Sequence, residues 1–303
     1  MANLFKKQFI VVAGKGGVGK TTISIALAHC AAGRGIRTLL CLSNAPPRYS
    51  RLLGGVTLGP KILKIRSNFF VVNLDPVASR EEYSFNVLRN HTLHNLIFGS
   101  RVVNNFLDAI PGLAEWAILG KATHHALNIV DGRPEYDLVI FDSPATGHGL
   151  DVLGLPKAII ESVPTGRILN EAKERVELMS DPNRCEILPV TIPEEMPVNE
   201  VIELITELHI RKLSVKRLVI NMMPPENSQH LANVLTSIPW KIRHQLLPVE
   251  VAVGRHRQRE QCLERLAATT SLPMIKLPLL KISELDEAAA LHLAKCLDKA
   301  ISA

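Results

Sequence analysis

Aromatic side chains are scarce in this chain: Phe, Tyr and Trp together make up 4% of its 303 residues. A core with so few rings must be aliphatic. Hydrophobic residues account for 47%, and a supply of Leu, Ile, Val and Ala suits a parallel sheet covered by helices. Cysteine is sparse too, and the five present (30, 41, 185, 262 and 296) form no CxxC pair. That argues against a disulfide scaffold and for a reduced, cytoplasmic setting. Cys30, Cys41 and Cys185 lie in or beside apolar stretches and read as small core residues. Long apolar runs are missing: none approaches the roughly 20 residues that a bilayer crossing requires, and Met1–Lys7 holds no hydrophobic leader. An integral membrane segment is therefore not expected. The formal charge of +6 includes no dense Lys/Arg run with interleaved aromatics, so no nucleic-acid partner is expected either.

Short β-branched runs alternate with longer segments of helical period, the pattern of a doubly wound, mostly parallel α/β sheet. The runs predict strands at Phe9–Ala13, Thr38–Leu42, Phe69–Leu74, Leu138–Phe141, Ile187–Ile192, Leu218–Asn221 and Met274–Leu277. Helices are predicted over Thr22–Arg34, Lys157–Met179 (interrupted near Pro164), Val198–Leu208, Ser228–Ser237, Arg255–Ala268 and Leu285–Ile301. Gly33 and Gly35 terminate the first of these. No low-complexity linker and no internal repeat divides the chain, which reads as one domain, 1–303.

The segment Gly14-Lys15-Gly16-Gly17-Val18-Gly19-Lys20-Thr21-Thr22 fits GxxxxGK[ST], after a strand and before a helix. Glycines let the backbone turn tightly and aim its N–H groups at phosphate oxygens. The helix adds its positive N-terminal end. Lys20 is placed for the β- and γ-phosphates and the Thr21 hydroxyl for Mg²⁺, so ATP and Mg²⁺ are the expected ligands. Gly14, Gly16 and Gly19 also satisfy GxGxxG, but a dinucleotide site wants an acid at the end of the second strand. That strand ends Leu42-Ser43-Asn44, without a carboxylate.

Lys15 gives the loop the form KGGxGKT, which resembles the deviant P-loop of an ATPase group that includes ArsA, the tail-anchored-protein targeting ATPases, MinD and ParA. The resemblance implies a dimer in which Lys15 reaches the partner's nucleotide, offsetting phosphate charge that dimerisation brings together. The run Asp142-Ser143-Pro144-Ala145-Thr146-Gly147-His148-Gly149-Leu150, followed by Leu153-Gly154-Leu155-Pro156, is similar to the second switch of the ArsA and tail-anchored-targeting branch. By that resemblance Asp142 holds Mg²⁺ through water and Gly147 offers a backbone N–H to the γ-phosphate. His148 would be an interface or switch residue rather than a catalytic base. Asn221, ending its strand, would hydrogen-bond the adenine, and Leu277-Pro278-Leu279-Leu280 would be the late adenine-side loop that includes Pro278. Thr191–Met196, with Asn199 and Glu200, resembles the segment that faces the partner near the nucleotide.

Departures from the family pattern matter as much. The first switch of the family reads S-T-D-P-A-H/S, and its Asp polarises the attacking water. Here the stretch is Leu42-Ser43-Asn44-Ala45-Pro46-Pro47-Arg48, so Asn44 stands at the catalytic Asp position. An amide can hold a water but cannot accept its proton, and losing a general base costs about 10²–10⁴ in rate. Weak hydrolysis is expected unless another acid, such as Asp75, serves. Pro46-Pro47 should stiffen this loop. The zinc site of the eukaryotic targeting enzyme needs a CxxC; the corresponding stretch, Val253–Gln258, has none, so no zinc is expected. Only about one helical segment fits between the second switch and Ile187, too little for a Met-rich client groove. A single P-loop and no thiol cluster disfavour arsenite pumping. The chain looks most like the short bacterial members of the family. A homodimer and a heterodimer with a related, active subunit remain equally open, as does the identity of a protein partner. Two other readings also stand: a scaffold that uses ATP as structural glue, and a ParA-like positioning ATPase.

Overall fold

A computed structural model describes residues 4–79, 112–144, 149–224, 233–234, 237–239, 247–280 and 284–302. Eight strands form one sheet: β1 (Phe9–Ala13), β2 (Thr38–Ser43), β3 (Leu63–Arg66), β4 (Phe69–Leu74), β7 (Leu138–Asp142), β8 (Cys185–Thr191), β9 (Leu218–Met223) and β10 (Met274–Pro278). A small hairpin, β5 (Ile129–Val130) and β6 (Arg133–Pro134), stands apart from it. The order is β10-β9-β8-β1-β7-β2-β4-β3, and every pairing is parallel except β3 with β4. All seven predicted strands are present. β3 was not anticipated, because Leu63-Lys64-Ile65-Arg66 is an edge strand with no fully buried residue and carries little apolar signal.

The described helices are α1 (Lys20–Gly33), α2 (Leu113–Leu127), α3 (Gly149–Ser162), α4 (Arg167–Ser180), α5 (Glu195–Ile210), α6 (Leu247–Thr269) and α7 (Glu287–Ser302). The predicted helix over Lys157–Met179 is two helices, α3 and α4, separated around Pro164–Gly166. Proline lacks the N–H for the ladder, and Gly166 has φ 107°, outside the helical range. The space after the second switch therefore holds more helix than the sequence suggested. The predicted helix Ser228–Ser237 falls largely outside the described residues.

Helix α2 also escaped prediction, since its sequence LAEWAILGKATHHAL is apolar nearly all round and holds Gly120 mid-helix. Helix α1 is buried on almost every side. Its run of Ala, Ile and Cys lets it lie against the sheet on one flank and α7 on the other, within one apolar cluster. The opposite sheet face is covered by α2, α4, α5 and α6, in a second cluster around Phe9, Phe141, Ile187 and Leu204. β1, β2, β4, β7, β8, β9 and β10 run parallel, so their C-terminal ends share one edge. Along that edge lie Gly14, Asn44, Asp75, Asp142, Ile192, Asn221 and Pro278. From β1 the chain passes to β2 on one side; from β7 it passes to β8 on the other. This reversal beside β1 is where open α/β sheets bind ligands.

Candidate functional site

The loop between β1 and α1 sits at that reversal. Gly14 has φ 150°, and a Cβ there would collide with the Val190 carbonyl oxygen of β8. Only glycine lets the loop leave the sheet so close to a neighbouring strand. Gly17 and Gly19 have φ 90° and 91°, and Gly19 is the N-cap of α1 with no side chain over the helix end. The first amides of α1 are thereby open to an anion. Val18 is buried and pins the loop, while Gly17 at its tip is exposed.

Lys20, the first residue of α1, is 8% exposed, and its Nζ donates to the Lys15 carbonyl at 2.9 Å across the base of the loop. Burial pulls its pKa down, with Asp142 opposing the shift. Thr21 Oγ1 donates to Asp142 Oδ2 at 2.7 Å, and Ser24 Oγ approaches Oδ1 at 3.3 Å. Asp142 is buried at the end of β7, and desolvation pushes its carboxyl up to about 6 despite Thr21, Lys20 and Ser24. Ser43 Oγ binds the Asp142 carbonyl at 2.7 Å, which couples the ends of β2 and β7. These residues fit a magnesium-bound triphosphate. A hydroxyl and a desolvated carboxylate offer hard oxygen ligands, whose ionisation a cation would favour. An ammonium and a helix N-terminus suit phosphate oxygens. From Gly17, Gly19, Lys20 and Thr21 a cleft of about 780 Å³ runs to Arg48, Tyr49 and Leu52, within the size range of small-molecule sites.

The chain matches the family model for anion-transporting ATPases over residues 7–165 and 164–247. It belongs to the ArsA ATPase family. An "ATPase ASNA1 homolog" of Entamoeba dispar is 27% identical over 259 residues, 73% of this chain and 77% of the relative. A "Putative arsenical pump-driving ATPase" of Halobacterium salinarum is 27% identical over 238 residues, 73% of this chain but 35% of the relative. "ATPase BagA" of Mycobacterium tuberculosis is 28% identical over 222 residues, 71% of this chain and 65% of the relative.

Other residues singled out by the ArsA pattern occupy varied positions. Lys15 Nζ lies 2.6 Å from Glu200 Oε1 of α5, so within one chain this lysine is turned toward a carboxylate of its own. Asn44 is exposed at φ 48°, a left-handed conformation that Asn tolerates well. The next residue, Ala45, is fastened by Asn73: Oδ1 accepts from Ala45 N at 2.8 Å and Nδ2 donates to Ala45 O at 2.9 Å. A 3₁₀ helix, Pro47–Leu53, follows at once. Asp75 Oδ1 accepts the Ala78 N–H at 2.8 Å and caps the turn 76–79.

Asn221 is buried, and its Nδ2 donates to the Val18 carbonyl at 3.0 Å, tying β9 to the P-loop. A Cβ on Gly19 would strike that amide. Its amide nitrogen thus serves the loop itself, which the sequence reading had not foreseen. Pro278 ends β10 opposite Met223, and Leu279 N donates to Met223 O at 2.7 Å. Gly147 and His148, with Ala145 and Thr146, lie outside the described residues. The Val253–Gln258 stretch is part of α6, in which Cys262 is a buried core residue. Sequence reasoning missed Ser24, Tyr49 and Arg51. Ser24 carries no motif beyond its place one turn after Thr21. Arg51 pairs with Glu284 at 2.9 Å, a long-range contact that no local pattern encodes.

Proposed function

We propose that this chain is one ATP- and Mg²⁺-binding unit that works as a dimeric switch on a protein partner. Lys20, Thr21 and the amides at the head of α1 would hold the phosphates, with Thr21 and Asp142 placed for the cation. The bound nucleotide would supply the γ-phosphate whose presence or loss distinguishes two states of the adjoining loops. The carrying observation is the 2.7 Å contact between Thr21 Oγ1 and the buried Asp142 carboxylate beside Lys20. Family membership supports ATPase chemistry of the form ATP + H₂O → ADP + phosphate. Asn44 offers no proton acceptor, so hydrolysis by the single chain is expected to be slow. A homodimer, or a pair with a related subunit that keeps the acid, would place Lys15 at the facing nucleotide.

A second reading, a scaffold that holds ATP without turnover, draws on the exposed Asn44 and its surroundings. The clamp of Asn73 on Ala45 and the rigid Pro46-Pro47 entry to the 3₁₀ helix leave this loop little freedom. Steady-state phosphate release by the purified chain, alongside its ATP-dependent sedimentation, separates the readings. Dimerisation with measurable turnover supports the switch; dimerisation with no turnover above the Lys20→Ala background supports the scaffold.

A further inference from the structure

The 3₁₀ helix Pro47–Leu53 carries two arginines, Arg48 and Arg51, and both line the cleft of about 780 Å³ that opens from the P-loop. Leu52 and Leu53 are buried in the same apolar cluster as Ile23 and Leu27 of α1. This short helix is thereby seated against α1, whose first turn presents Lys20 and Thr21. Its backbone is well anchored. Pro46 and Pro47 restrict the entry, and Asn73 clamps Ala45 through both N–H and carbonyl. Tyr49 N donates to Pro46 O at 3.1 Å, and Gly55 N donates to Ser50 O at 2.9 Å beyond the last turn. Arg48 therefore projects from a fixed main chain.

Four residues of the cleft lining are charged: Lys20, Arg48, Arg51 and Glu284. Three cations against one carboxylate leave this lining positive, as a polyanion requires. Lys20 belongs to the P-loop and bonds its carbonyl at Lys15. Arg51 is taken by Glu284 at 2.9 Å. Arg48 is exposed and makes no hydrogen bond or ion pair among the described residues; its guanidinium carbon lies 5.3 Å from the ring centroid of Tyr49. The stretch leading to it, Asn44-Ala45-Pro46-Pro47, holds no carboxylate to engage it. A solvated arginine is ordinary, but this one shares a cleft with a phosphate-binding loop.

Resting on the ATP-binding reading above, we propose that Arg48 is a further nucleotide-binding residue, whose guanidinium donates to oxygens of the phosphate chain from the 3₁₀-helix wall of the cleft. A planar fork of N–H groups suits two phosphate oxygens at once. With Asn44 uncharged, no acid in this loop competes with phosphate for it. The loop that lacks the proton acceptor thus contributes a cation to binding.

Calorimetric titration of the full chain with Mg·ATP and, separately, with Mg·ADP tests this. Arg48→Gln should weaken Mg·ATP binding about tenfold or more. Arg48→Lys, which keeps the charge but not the fork, should lie between that variant and the unaltered chain. Thermal unfolding without nucleotide should be the same for all three, because the side chain is exposed. A loss confined to Mg·ATP identifies contact with the terminal phosphate, and an equal loss for Mg·ADP contact with the inner ones. The proposal is overturned if Arg48→Gln binds Mg·ATP as tightly as the unaltered chain while Lys20→Ala does not. Failure of the unaltered chain to bind either nucleotide would instead contradict the ATP-binding reading, and this assignment with it.

Discussion

Lys15 and Glu200 are 2.6 Å apart, one in the P-loop and the other on α5, and each side chain is about one-third exposed. The lysine that the ArsA pattern assigns to a neighbouring subunit is thus held by a carboxylate in its own chain. A partly exposed pair of this kind contributes about 0.2–1 kcal/mol, little enough for a partner's phosphates to displace. Lys15→Ala should abolish ATP-dependent dimerisation while leaving monomer stability within about 1 kcal/mol. Glu200→Gln should preserve or strengthen it. Analytical ultracentrifugation with and without Mg·ATP checks both.

Asn44 faces solvent in a backbone conformation that Asp also adopts. Asn44→Asp should therefore fold normally and restore a proton acceptor, raising phosphate release about 10²–10⁴-fold. An unchanged rate would mean that the attacking water is handled by another group.

Asp142 gives a pH dependence of defined sign. Its carboxyl is raised from 3.8 to about 6, chiefly by desolvation. The folded chain holds this proton more tightly than the unfolded one. The associated stability is complete below pH 3.8 and is lost as pH rises through about 6. Without nucleotide, Asp142→Asn should be more stable than the unaltered chain at pH 7.5, by about 3 kcal/mol, and close to it at pH 4. Urea unfolding at the two pH values measures this. Retention of magnesium with nucleotide should move oppositely, failing in the variant and, in the unaltered chain, declining below about pH 6.

Asn221 and Gly19 test how the loop is held. Asn221→Ala frees the Val18 carbonyl at a cost of about 1–2 kcal/mol, and nucleotide affinity should fall with it. Gly19→Ala places a methyl group against the Asn221 amide at φ 91° and should cost about 1–3 kcal/mol. Thermal unfolding and nucleotide titration of both variants provide the check.

The parallel strands were legible because buried strands announce themselves as short aliphatic runs: Phe9–Ala13 and Phe69–Leu74 occur with their expected bounds. Their shared direction then gathers Gly14, Asn44, Asp142 and Asn221 at one edge. What stayed hidden depends on contacts distant in sequence. Gly120 looks like a helix breaker until the Arg175 guanidinium, which needs its missing side chain, is seen. Asn221 reads as a base-binding residue by resemblance, yet its amide nitrogen is directed to Val18 across more than two hundred residues. Glu200 reads by resemblance only as part of a partner-facing segment, and nothing in that pattern marks it as the counter-ion of Lys15.

Equilibrium dialysis of the purified chain against Mg·ATP tests the central claim most directly. About one nucleotide retained per chain, lost in Lys20→Ala and reduced in Thr21→Ala, is the expected result. Retention by neither the unaltered chain alone nor the chain mixed with a related subunit would contradict it.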